Sequence, residues 1–261
     1  MIPQHRTGDP IRFLSLFAGI GGFDLGLERA GWTCVGQVEI DQFCQRVLAK
    51  HWPNVKRMGD IREVQGNEFG ELDAIVGGFP CQNVSNAGDR NGIDGEQSGL
   101  WNEYIRLIRT IRPRYVVVEN VAALLVRGID RVLGDLAAIG YDAEWQVLSA
   151  SSFGAPHLRE RVFIIAYPSG IGMAGPIQSE KLGESGSWWS GSEADLLAVI
   201  QHPRRESNRV PKPLLCRMDD GTAYWVDRLA ACGNAVVPQV AEYIGNAIQR
   251  GRYDNTTISN H

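Results

Sequence analysis

Apolar and polar positions change rhythm in blocks along the first two thirds of the chain. Residues 11–17 form a short apolar run closing on glycines, which predicts a buried strand. Helical spacing follows at 22–30 and a second strand at 33–39. Asp41 is placed to cap a helix reaching about His51, where Pro53 follows. Further buried strands are predicted at 72–77 and 115–118, with a helix at 100–111 between them. A helix at 129–139 precedes two closing strands, 145–148 and 162–167. Short strands alternating with helices predict an α/β, Rossmann-like fold, with a mostly parallel central sheet and helices on both faces. Such a sheet takes its ligand at the carboxyl ends of its strands.

Beyond residue 167 the rhythm breaks. Residues 168–192 are rich in Gly and Ser with no steady period, and helical patterning returns through 240–248. Residues 1–167 and 222–261 are therefore read as one domain. Residues 168–221 are read as a small irregular lobe inserted into it. No internal repeat is visible.

Composition narrows the class. With 261 residues, 44% of them apolar, the chain can bury one large core. It has no run of about 18 apolar residues to span a membrane, and its first ten residues lack an apolar signal segment. A cytoplasmic protein is expected. Five cysteines, an odd number without a CxxC pair, argue against a disulfide framework or a zinc site, so no metal is expected. The net charge of −4 means that nucleic-acid binding would need a local basic patch. One candidate is the stretch 201–218, where Arg204, Arg205, Arg209, Lys212 and Arg217 face one acid, Glu206. A solvated loop is the plainer reading of it.

Four constellations carry chemistry. The first is the run Phe17, Ala18, Gly19, Ile20, Gly21, Gly22 directly after a predicted strand, with Glu39 at the end of the next strand and Asp60 after a third. Glycines let backbone approach a ligand, and a strand-end carboxylate can hold both hydroxyls of a ribose. The run is not the dinucleotide fingerprint, because Asp24 stands at its third glycine position. Together these features suggest an adenosine-containing cofactor. The second is Gly77, Gly78, Phe79, Pro80, Cys81. A stiff turn at a strand end presents a thiol, whose reactive form is the thiolate. A buried small hydrophobe is the ordinary alternative for one cysteine. The third is Glu119 after the 115–118 strand, either a structural hydrogen-bonding acid or a functional one with a raised pKa. The fourth is Arg159 and Arg161, two apart, so that in an extended segment both point the same way. They suit phosphate, a carbonyl oxygen or a carboxylate; a surface salt-bridge ladder is the alternative.

In this order and spacing, the Pro-Cys-Gln, Glu-Asn-Val and Arg-x-Arg motifs, with Gly233-Asn234-Ala235-Val236-Val237-Pro238, resemble the cytosine-5 DNA methyltransferases of phage and bacterial type. The resemblance covers residues 11–167 and resumes at 228–248. It departs at His157, where the family usually has glutamine, and before Tyr224, where its usual signature is hard to find. It implies S-adenosylmethionine as cofactor and double-stranded DNA as partner, in a protein expected to be monomeric. Phe17, Gly19, Ile20 and Gly21 would line the methionine and adenosine pocket. Glu39 would hold the ribose and Ile40 would pack on the adenine, with Asp60 and Ile61 at its edge. Pro80, Leu100, Asn234 and Ala235 would complete that pocket. Cys81 would be the covalent nucleophile, Glu119 would contact a flipped cytosine at N3, and Arg159 or Arg161 its O2 and nearby phosphate. Ser85 and Arg90 would reach the DNA backbone. The 168–221 lobe, with Arg204, Arg205 and Arg209, would read the target sequence.

Three rivals remain. A non-catalytic DNA-binding relative need not keep Cys81, Glu119 and Arg159 together. An RNA cytosine methyltransferase would carry a Cys-Phe-Thr tripeptide in its recognition region, and none is found. A dehydrogenase is disfavoured by the incomplete glycine fingerprint.

Overall fold

The computed structural model describes residues 9–80, 98–155, 157–170 and 235–258. Seven strands form one sheet in the order β3-β2-β1-β4-β5-β7-β6. They are β1 (Arg12–Leu16), β2 (Thr33–Val38), β3 (Lys56–Met58), β4 (Ala74–Gly78), β5 (Tyr115–Val121), β6 (Tyr141–Ser149) and β7 (Glu160–Pro168). The first five are parallel. β7 runs antiparallel between β5 and β6. The helices are α1 (Gly22–Arg29), α2 (Gln42–His51), α3 (Ser98–Ile111), α4 (Leu124–Arg127), α5 (Ile129–Ala138) and α6 (Pro238–Ile258).

Strand alternation sorts the core into two layers. Leu14, Leu16, Ile75, Val116, Val118 and Ile164 face α3 and α5 on one side of the sheet. Phe13, Ala74, Val76, Val117 and Ile165 face α1 and α6 on the other. Strands buried on both faces appear in sequence as unbroken apolar runs, which is why they are legible. Asp41 caps α2 as expected, its side chain accepting from the Cys44 N–H at 2.8 Å.

The expected elements are all present, with changed ends. β5 does not stop at Val118. It continues through Glu119 and Asn120 to Val121, because β7 pairs alongside it over that length, Glu119 opposite Phe163 and Val121 opposite Arg161. β6 is twice as long as the apolar segment at 145–148, since its partly buried positions are set by pairing with β7 rather than by hydropathy. The assignment of 168–221 as a separate lobe falls almost entirely outside the described residues.

The chain runs from β1 outward to β2 and β3, then returns to β4 and continues through β5. The direction therefore reverses between β1 and β4, the place where a parallel sheet leaves a crevice at its carboxyl edge. Because β7 is antiparallel, its amino end lies at that same edge. A motif that precedes the last strand thus arrives beside residues that follow the parallel ones.

Candidate functional site

The β1–β2 side of the crevice is built from backbone. Phe17 and Gly19 take left-handed φ values of 52° and 57° after β1, and the Gly21 N–H closes a turn on the Ala18 carbonyl at 2.9 Å. The turn aims the Gly19 N–H at Glu39, whose Oε2 accepts it at 2.7 Å; Oε1 accepts the Asp41 N–H at 2.8 Å. Glu39 is thus fixed in position with acceptor capacity left on both oxygens. No described residue stands within 4 Å of where a Cβ on Gly19 would lie, so the described residues leave that position open. Ile40, next to Glu39 in sequence, is a 68% exposed apolar side chain. Asp60, after β3, accepts from the Arg62 N–H at 2.9 Å, and Ile61 is buried. These features fit an adenosine: a held carboxylate for the ribose and an exposed apolar side chain for the base.

The β5–β7 side is built from charge. Glu119 is 8% exposed, and Arg161 Nε donates to its Oε1 at 3.0 Å. Burial raises the Glu119 pKa, while the nearby Arg161 and Arg159 oppose that shift. Gly78 is its register partner on β4, and a Cβ there would run into Glu119 Oε2, so the carboxylate needs the glycine. Arg159 does not reach the site by simple strand alternation. Its φ is +29°, a conformation disfavoured for a non-glycine residue, and its Nη2 donates to the Ala235 carbonyl at 2.8 Å. Glu119, Arg159 and Arg161 line one pocket with Val236 and Val237, so the returning 235–238 segment forms a wall of it.

Between these sides lies the turn after β4. Asn120 is buried, and its Nδ2 donates to the Phe79 carbonyl at 3.1 Å, which ties this turn to the end of β5 two residues before Cys81. Pro80 is the last described residue of the turn.

Residues 11–187 match the family described as C-5 cytosine-specific DNA methylase. The chain belongs to that family. Type II methyltransferase M.HgiCII of Herpetosiphon aurantiacus is 38% identical over 62% of this chain and 38% of that protein. Type II methyltransferase M.BsuFI of Bacillus subtilis is 29% identical over 95% of this chain and 59% of that protein. This C-5 methylase chain therefore spans less than two thirds of the length of either relative. Among solved structures, Entamoeba histolytica methyltransferase EhMeth superimposes with a TM-score of 0.56 at 18% identity, covering 68% of this chain and 58% of that one. At that identity the likeness speaks for the fold alone.

The structure brings Phe17, Gly19, Gly21, Glu39, Ile40, Asp60, Pro80, Glu119, Arg159 and Arg161 to one edge of the sheet, where the parallel strands end and β7 begins, and Ala235 joins them by accepting from Arg159. Ile20 lies in the glycine turn, and Leu100 lies in the first turn of α3. Cys81, Asn234, Ser85, Arg90, Arg204, Arg205 and Arg209 lie outside the described residues. Among the described residues, no His, Cys, Asp and Glu side chains gather into a metal-binding group. No described helix is long and apolar enough to cross a membrane.

Sequence reasoning misses three polar residues. Asn120 enters it only as part of a motif, Asp24 only as a break in the glycine fingerprint, and Gln37 not at all. All three are buried. The available signal is a polar residue inside an otherwise apolar strand or helix face, which demands a partner.

Proposed function

We propose that this protein is a DNA cytosine-5 methyltransferase that uses S-adenosylmethionine and forms a covalent bond between Cys81 and C6 of a flipped cytosine. The observation that carries the reading is the order of groups along one sheet edge. Glu39 and the glycine turn stand on the β2–β1 side, Pro80 follows β4 with Cys81 next to it in sequence, and Glu119 with its two arginines stands on the β5–β7 side. A nucleophile carried on the middle strand would meet a cofactor from one side and a base from the other.

Each group has work in that chemistry. Bound S-adenosylmethionine would supply a methyl group on a positively charged sulfur, which an activated C5 takes up. Glu39 would accept the ribose hydroxyls, Ile40 would cover the adenine, and Asp60 with Ile61 would bound its edge. Phe17, Ile20, Gly21, Leu100, Asn234 and Ala235 would shape the remainder of that pocket. The Cys81 thiolate would add to C6, shifting the C5–C6 electron pair into the ring and making C5 nucleophilic. Glu119, whose pKa burial raises, would in its protonated form donate to N3 and stabilise the charge that develops there. Arg161 and Arg159 would face O2. Loss of the C5 proton would restore the double bond, break the C6–S bond and return the thiolate. The cytosine must leave the duplex for any of this to occur. Ser85 and Arg90 would contact the backbone. The 168–221 lobe, through Arg204, Arg205 and Arg209, would read a short target.

The test is transfer from methyl-labelled S-adenosylmethionine to duplex DNA or to RNA of matched sequence, with a 5-fluorocytosine duplex as a trap. Label in 5-methylcytosine of DNA and a denaturation-stable adduct on the fluorinated duplex are expected. Transfer to RNA alone, or none to either, overturns the reading.

A further inference from the structure

A polar row, buried at Ser15 and Gln37 and half-buried at Arg57, lies beneath the cofactor side of the crevice. Ser15, Gln37 and Arg57 are register partners across β1, β2 and β3. They are level only because β2 has a bulge. The register steps from Phe13–Cys34 to Leu14–Gly36, which turns Gln37 onto the face that Ser15 shares with α1. Asp24, in the first turn of α1, sits over the row and is fully buried. Its Oδ2 accepts from Ser15 Oγ at 2.9 Å. Its Oδ1 accepts from Gln37 Nε2 at 2.7 Å and from Cys34 Sγ at 3.3 Å. Gln37 Oε1 in turn accepts from Arg57 Nε at 2.8 Å.

The path then returns to α1. Arg57 Nη2 donates to the Leu48 carbonyl at 3.3 Å and also to that of Trp52, at the end of α2. The Trp52 indole donates to Glu28 Oε2 on α1 at 2.8 Å, and its ring occupies the place a Cβ on Gly21 would need. Contacts thus run from Asp24 through Gln37, Arg57 and Trp52 back to Gly21, encircling the base of the glycine turn.

The surrounding face is apolar, with Phe13, Phe23, Leu27 and Val76. Apolar packing alone would hold α1 on the sheet, but it tolerates small slides. Hydrogen bonds are directional and fix the relative position of what they join. The row stands two residues before Phe17 and Glu39 and three before Asp60, the residues that form the cofactor side of the edge.

We propose that Asp24, with Gln37 and Arg57, is a positioning network that sets the cofactor-binding edge, so that Asp24 governs affinity for S-adenosylmethionine without touching it. This rests on the cofactor assignment above. The network admits a charge swap. In the double variant Asp24→Asn with Gln37→Glu, the introduced amide donates to the introduced carboxylate, which also takes Arg57, while Ser15 still donates to the amide carbonyl. The links from residue 24 to Ser15 and to residue 37, and from residue 37 to Arg57, are kept, while the weaker Cys34 thiol bond to Oδ1 is given up.

The test is calorimetric binding of S-adenosylhomocysteine, with steady-state kinetics alongside. Asp24→Asn alone should raise the Kd at least tenfold, with kcat at saturating S-adenosylmethionine and the KM for DNA held within threefold. Arg57→Gln should act in the same direction. The double variant should recover affinity to within threefold of the parent, including when Asp24→Asn alone fails to fold. Wild-type affinity in Asp24→Asn, an effect confined to kcat or melting temperature, or a double variant no better than the single one overturns the proposal. A parent protein that binds no S-adenosylhomocysteine overturns the cofactor assignment itself, and this inference with it.

Discussion

Two glutamates stand at the carboxyl edge of the same sheet, and their surroundings make them different reagents. Glu39, after β2, is held by two backbone N–H groups, one on each oxygen. Glu119, in β5, is held by a side chain, Arg161, with Gly78 packed against the carboxylate and Val236 and Val237 lining the same pocket. Peptide dipoles fix a carboxylate as an acceptor, suited to hydroxyls. Burial favours the neutral form, suited to delivering a hydrogen bond or a proton. One residue type at one sheet edge thus sits as a fixed acceptor on one side of the crevice and as a buried acid on the other. The turn after β4 lies between them.

The comparison is tested most severely by removing what the two sides serve. Cys81→Ser should lower methyl transfer by at least about 1000-fold, since a serine hydroxyl is far harder to ionise than a thiol. S-adenosylhomocysteine binding should stay at the parent value, as it depends on the other side. Substantial turnover by this variant, or a lost affinity, would merge the two sides and refute the covalent mechanism.

Glu119→Gln sharpens the distinction next. The rate of the chemical step should fall by about 100-fold or more, the scale of a lost general acid, with cofactor affinity unchanged. The pH profile is the finer readout. Burial raises the Glu119 pKa above its ordinary 4.5, so the protonated form is present below the raised value and is lost as pH rises through it. The parent should show that decline on the alkaline side, and the glutamine variant should not. The same shift acts on stability. Between 4.5 and the raised value, the unfolded chain releases a proton that the folded chain keeps, so the contribution of Glu119 to stability falls as pH rises. Denaturant titrations of parent and variant at several pH values measure that difference.

Glu39→Gln should do the reverse. Loss of a charged acceptor costs about 1.5–3 kcal/mol, or roughly 10- to 100-fold in cofactor Kd, while the rate at saturating cofactor changes little. A variant that binds normally but reacts slowly would show that the two glutamates share one role.

The smallest effect tests the packing beneath the acid. Gly78→Ala places a methyl group where Glu119 Oε2 lies. Overpacking of this kind costs about 1–3 kcal/mol, read as a melting temperature lower by several degrees, and the alkaline limb should move because the carboxylate must shift. An unmoved limb would show that Glu119 is free to relocate.

How much of this is legible in the chain follows from what hydropathy can encode. Strands buried on both faces and helices with one apolar face announce themselves as local periods. The α/β order, the Asp41 cap and the positions of Glu39 and Pro80 just past their strands are therefore readable from the chain alone. Residues that match a family motif, such as Cys81 and Arg161, are readable in the same way, since a motif is also local. Pairing between distant segments is not local. The antiparallel placement of β7 between β5 and β6 brings Arg161 opposite Val121 and extends β5 through Glu119. The left-handed turn at Arg159 delivers its side chain to a pocket shared with Ala235's neighbours, 76 residues away. A one-residue bulge in β2 decides that Gln37 faces Ser15 and Asp24 rather than the opposite layer. Hydrophobic period fixes which residues are buried. Register and chirality fix which buried polar groups meet, and those depend on contacts that only the folded sheet supplies.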